Sequence, residues 1–134
     1  QKQAEKRDKA MTTVINATGH VVRIRNADGE LTTYPPTTLC FRVTGAEVRD
    51  WNVATDIDAD IVQRRCYYSF ADLPPYDPDT IYIVSRRFAY AYASIRDDFV
   101  YPDTECGAER DKNGRVYAVR RFRRPDLMVV QDQP

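Results

Sequence analysis

The residues best placed for chemistry are Ser85, Arg86 and Arg87. They follow the most uniformly apolar short run of the chain, Ile81-Tyr82-Ile83-Val84, and precede an Ala/aromatic segment, FAYAYA. A buried strand that ends in Ser and runs into helix formers leaves free backbone N–H groups and positive dipole at the helix start. Two arginines beside them would complete a pocket for a phosphate or carboxylate, because each guanidinium offers a planar fork of donors. The competing reading is a plain N-cap with two solvated arginines. No glycine-rich loop accompanies the triplet, so it is neither a P-loop nor a dinucleotide fingerprint.

A second constellation is Arg96-Asp97-Asp98 followed by Asp103-Thr104-Glu105. Paired acids can bind a metal or serve as acid and base. Adjacent strand residues point to opposite faces, however, so a polar loop whose arginine and carboxylates pair with each other competes with that reading. Arg96 and Asp98 join Ser85, Arg86 and Arg87 as the expected ligand-binding set. Asp56-x-Asp58-x-Asp60 opens like a calcium loop, but Ile61 stands where the loop needs glycine and Tyr67 where it needs glutamate. The single histidine, His20, sits in a turn with no nucleophile motif beside it. The chain has no GxSxG, HExxH or CxxC pattern, so no catalytic residue, metal set or cofactor is nominated.

The third constellation is Arg120-Arg121-Phe122-Arg123-Arg124. Basic residues around an aromatic can hold a nucleic-acid backbone and stack a base. The competing reading is an edge strand whose charges discourage aggregation.

These groups need a scaffold, and the pattern supplies one. Residues 13–15, 21–25 and 31–34 read as strands, with Asn26-Ala27-Asp28-Gly29 as the hairpin turn between the last two. Pro35-Pro36 ends the third strand. A fourth is expected at 39–43, further alternation at 46–53 and 56–61, and an aromatic strand at 66–70. The proline-rich stretch 74–78 is a linker. After the 81–84 strand, helix is expected over 86–93, since Ser85 caps and alanine has high helix propensity. Asp111-Lys112-Asn113-Gly114 is a hairpin signal with 115–122 as its return strand, and 127–130 is a further edge strand. The expected class is therefore α+β: a mostly antiparallel, twisted sheet of hairpins with one short helix after the central strand. Residues 1–11 read as a solvated leader without an apolar stripe, and 12–134 as a single globular domain.

Composition narrows the function. An apolar fraction of 43% excludes a disordered chain, and no apolar run is long enough to span a membrane. Net charge is zero, which argues against a general nucleic-acid coat, yet the charge is unevenly spread. Residues 109–124 carry seven Lys/Arg against two acids, and 47–60 carry one Arg against five acids. Cys40, Cys66 and Cys106 are odd in number and widely spaced, which suits reduced, mostly buried thiols in a cytoplasmic protein.

The order INATGH, a double-proline turn, DTIYIVS, RDDFVYPDT and RDKNGRVYAVRRF resembles a group of small proteins encoded by phages, prophages and actinobacterial genomes. The likeness covers roughly residues 12–122. The resemblance implies an intracellular, virus-associated protein, in the host cytoplasm if phage-encoded, and carries no catalytic residues over. The expected function is thus a non-catalytic phage-type accessory protein that acts by binding. Its partner is a small nucleotide-like anion at the 85–87 helix start, or a host protein. The alternative is a nucleic-acid-binding module using the basic 115–124 strand.

Overall fold

The computed structural model describes residues 12–49, 62–67 and 73–131. In chain order its elements begin with β1 (Thr13–Asn16), β2 (Val22–Arg25), β3 (Leu31–Tyr34), β4 (Thr44–Arg49) and β5 (Val62–Tyr67). They continue with β6 (Thr80–Ile83), α1 (Arg86–Ala91), β7 (Phe99–Pro102), β8 (Glu109–Arg110), β9 (Val116–Ala118) and β10 (Phe122–Arg123). The leader, the 56–61 alternation with its carboxylates, and residues 68–72 lie outside the described residues.

The fold is α+β, and most strand pairings are antiparallel: β2 with β3, β4 with β5, β8 with β9, and β10 with β7. The exceptions lie at the centre. The four-stranded sheet has the order β1-β6-β7-β10, and β6 runs parallel to both β1 and β7. Parallel neighbours need a crossover, and α1 supplies the one between β6 and β7. The apolar run is apolar throughout because it is covered on both faces. Tyr82 and Val84 point into one cluster with Phe88, Tyr92, Phe99 and Tyr101. Ile83 points the other way, with Val22 and Val100, where Tyr34 and Phe122 pack around it. The molecule thus has helix on one side of the sheet and the β2–β3 hairpin on the other.

Three expectations need correction. Residues 39–43 form no strand. Leu39, Phe41 and Val43 instead pack on the helix-side cluster, and Phe41 stacks on Phe88 with ring centroids 5.4 Å apart. Alternation reported the buried side of an extended segment, and burial without a ladder produces the same pattern. The expected return strand 115–122 is divided. Its first part pairs with β8, Val119 bonds to the backbone of Arg23 and Arg25, and Phe122–Arg123 crosses to β7. Residues 127–130 form no edge strand and stand 73–87% exposed. The cysteines need correction too: Cys40 and Cys106 are exposed where burial was expected, and the Cys66 side chain is outside what is described.

Candidate ligand-binding cleft

The carboxyl ends of the three parallel strands lie side by side, and each delivers a loop to the same place. Ligands in open α/β sheets collect at such ends, because the loops there diverge and leave a crevice. The loop after β1 is held by Asn16, whose buried side chain donates to the carbonyls of His20 (2.6 Å) and Tyr34 (2.9 Å). Its Oδ1 accepts from the backbone N–H and the hydroxyl of Thr18. Gly19 completes the turn at φ +87°, where a Cβ would stand 2.8 Å from Cys40 Sγ. Thr18 and His20 are fixed by these contacts.

The loop after β6 is the expected cap. Ser85 Oγ accepts from Phe88 N at 3.1 Å, and α1 follows from Arg86. Phe88 and Ala89 face the core, while Arg86, Arg87 and Tyr90 are exposed. Arg86 lies over the Tyr90 ring at 5.4 Å. The Tyr90 hydroxyl, with the charge of Glu105, holds the Arg86 guanidinium above its ordinary pKa. Arg86 also meets Glu105 at 3.4 Å, but the two side chains are 61% and 81% exposed, so water competes fully for that pair.

The loop after β7 turns on Asp103. This carboxylate accepts from Arg121 Nε at 2.6 Å and from the backbone N–H groups of Glu105 and Cys106. The Arg121 hydrogen bond, helped by those two backbone bonds, outweighs burial and lowers the Asp103 pKa from 3.8 to about 2.

Two adjoining cavities result. A groove of about 850 Å³ is walled by Arg42, Arg86 and Arg87, with Phe41 and Tyr90 as its apolar surface and Thr18, His20 and Ser85 at one end. No carboxylate lines it among the described residues. Arg42 reaches it because the Phe41 N–H bonds to the Ala17 carbonyl and the Phe41 ring faces the core, which turns the next side chain outward. Its Nε donates to Cys40 Sγ at 3.2 Å. The second cavity, about 350 Å³, shares Thr18, His20, Ser85 and Arg86 with the first, and adds Asp103, Glu105, Arg123 and Asp126.

The five expected ligand-binding residues therefore divide. Ser85, Arg86 and Arg87 share the groove. Arg96 and Asp98 stand at the amino end of β7 and bind each other through two hydrogen bonds, of 3.0 and 2.5 Å. Arg96 also donates to the Pro74 carbonyl at 2.7 Å and lies over the Phe99 ring. The basic strand is largely engaged as well. Arg121 and Arg123 meet Asp103, and Arg124 Nε donates to the Asp97 carbonyl. Phe122 is half-buried, edge-on to Tyr34 at 6.1 Å, and Arg120 lies beside Gly107. Sequence reasoning missed Arg42. The available signal was its place between Phe41 and Val43, both apolar, which puts it on the outward side of an extended segment.

Among the described residues no three His, Cys, Asp or Glu side chains stand close enough to hold a metal ion, and no helix is long and apolar enough to cross a membrane. No family model matches the chain, and neither a curated protein nor a solved structure matches it.

Proposed function

We propose that this protein is a non-catalytic, phage-type accessory protein that binds a small anionic ligand, nucleotide-like in size and charge, in the cleft at the carboxyl ends of β1 and β6. One observation carries the reading: Arg42, Arg86 and Arg87 wall a single groove whose described lining contains no carboxylate. Three guanidinium groups lining one groove offer a bound phosphate or carboxylate several charge-assisted, bidentate hydrogen bonds. The phage-type assignment rests on the sequence resemblance. A host protein would use the same arginines only by presenting an acidic or phosphorylated side chain, so binding of a free small anion separates the two. The nucleic-acid reading has less support, because Arg121, Arg123 and Arg124 already have internal partners and Phe122 packs against Tyr34.

The test is thermal-shift titration with inorganic phosphate, pyrophosphate and ATP. At least one should raise the melting temperature of the wild type. Arg86→Ala should weaken that ligand roughly ten- to a hundredfold, about 1.4–2.8 kcal/mol, without moving the melting temperature of the ligand-free protein. Raising salt should weaken binding too, since the groove is open to solvent. No shift with any phosphate compound defeats the proposal.

A further inference from the structure

Resting on that reading, we infer that the ligand is a phosphate ester of a polyhydroxylated compound, with its phosphate on Arg42, Arg86 and Arg87 and its hydroxyls on Glu105 and Asp126. The warrant is the segregation of charge along one continuous cleft. The groove with three arginines and the smaller cavity meet at Thr18, His20, Ser85 and Arg86, so a ligand can lie across both. On the far side of that junction the lining changes character.

Of the three carboxylates there, Asp103 is consumed by Arg121 and two backbone N–H groups. Glu105 and Asp126 are not: their side chains are 81% and 56% exposed, and their ion-pair contacts are long, 3.4 Å to Arg86 and 3.7 Å to Arg123. An ionised carboxylate only accepts hydrogen bonds. Arg123, the further guanidinium on that side, already faces Asp103 and Asp126, so vicinal hydroxyls reaching past Arg86 would find acceptors at Glu105 and Asp126. Asp126 is held in place because its backbone N–H bonds to the Tyr90 hydroxyl at 3.1 Å, which ties the acidic wall to the groove's aromatic one. A sugar phosphate and a nucleoside monophosphate share this phosphate-plus-diol chemistry.

The test compares inorganic phosphate, ribose 5-phosphate and AMP by calorimetric titration, on the wild type and on Glu105→Ala. On the wild type, ribose 5-phosphate and AMP should each bind at least tenfold tighter than inorganic phosphate. Glu105→Ala should weaken both esters about five- to tenfold. It should leave inorganic phosphate unchanged or bind it more tightly, because the change frees Arg86 from its acidic neighbour. If all three bind alike, if AMP binds without ribose 5-phosphate, or if Glu105→Ala leaves the esters unchanged, the diol assignment is overturned while the anion groove stands. If none of the three binds, the groove itself is refuted.

Discussion

Arg96 and Arg86 flank the same two strands and are used in opposite ways. At the amino end, Arg96 is 14% exposed and Asp98 3%; the pair is closed off by the Pro74 carbonyl and the Phe99 ring. At the carboxyl end, Arg86 is 61% exposed, and its acidic contact is long. The Asp98 hydrogen bond and charge hold Arg96 above its ordinary pKa despite the opposing effect of burial. A buried pair of this kind tolerates no loss of one member, because the survivor keeps its desolvation cost. An exposed arginine can change partner at little cost. An arginine whose three nitrogens all donate within the protein, as in Arg96, holds the fold, and one facing an open groove is available to a ligand.

The sharpest way to break the comparison is Asp98→Ala. It strands Arg96 in a site with little water and should cost about 3–5 kcal/mol in urea-denaturation experiments. A cost under about 1 kcal/mol, the range of an exposed pair, would remove the distinction between the two ends.

Asp103 tests the comparison through pH. Its carboxyl is lowered from 3.8 to about 2 in the folded protein. The unfolded chain therefore binds a proton first, so Asp103 stabilises the fold fully above about pH 4 and loses that contribution as pH falls toward 2. Asp103→Asn should be less stable at pH 7 and should show a flatter decline between pH 4 and 2 than the wild type. An unchanged slope would mean that the Arg121 contact does not persist in solution.

Ser85→Ala removes a side-chain bond to a helix start that is otherwise solvated. The expected cost is about 1 kcal/mol, with α1 still formed, because Phe88 and Tyr92 anchor it in the core. Arg86→Ala and Arg87→Ala bring the smallest change, within about 0.5 kcal/mol each in the absence of ligand. A larger loss would place these arginines with Arg96 as structural residues and weaken the case for the groove.

Much of the fold was legible because its signals are local. Gly29 and Gly114 adopt φ +89° and +82° in the two hairpin turns, but Asn113 does not share a positive φ, so the second is not the type I′ turn that Asn-Gly suggests. The Ser85 cap and the 81–84 strand needed only neighbours a few residues away. What escaped was non-local. Nothing in TVIN says that its ladder partner is Thr80–Ile83, or that the pairing is parallel. The split of 115–122 was hidden for the same reason, since Val119 leaves its hairpin to meet β2, more than ninety positions earlier. In the cleft, Ser85, Arg86 and Arg87 were legible as one short motif. Arg42 joins them only because residues 39–43 fold onto the helix-side core, and Glu105 only because the loop after β7 arrives at the same place.

The parallel pairing of β1 with β6 also has a consequence in time. Thr13 pairs with Thr80, so on the ribosome each residue of the first strand is made 67 residues before its partner. At synthesis rates of about 5–20 residues per second, it waits roughly 3–13 s. The β2–β3 hairpin needs only its own turn and closes within about 1–10 μs of emerging. Through that interval the hairpin opens and recloses, since a lone two-stranded ribbon is only marginally stable, beside a bare edge, TVIN, whose amides have no ladder partner. Exposure to proteases and to other nascent chains is then set by the translation rate between β1 and β6, rather than by the stability of the finished sheet.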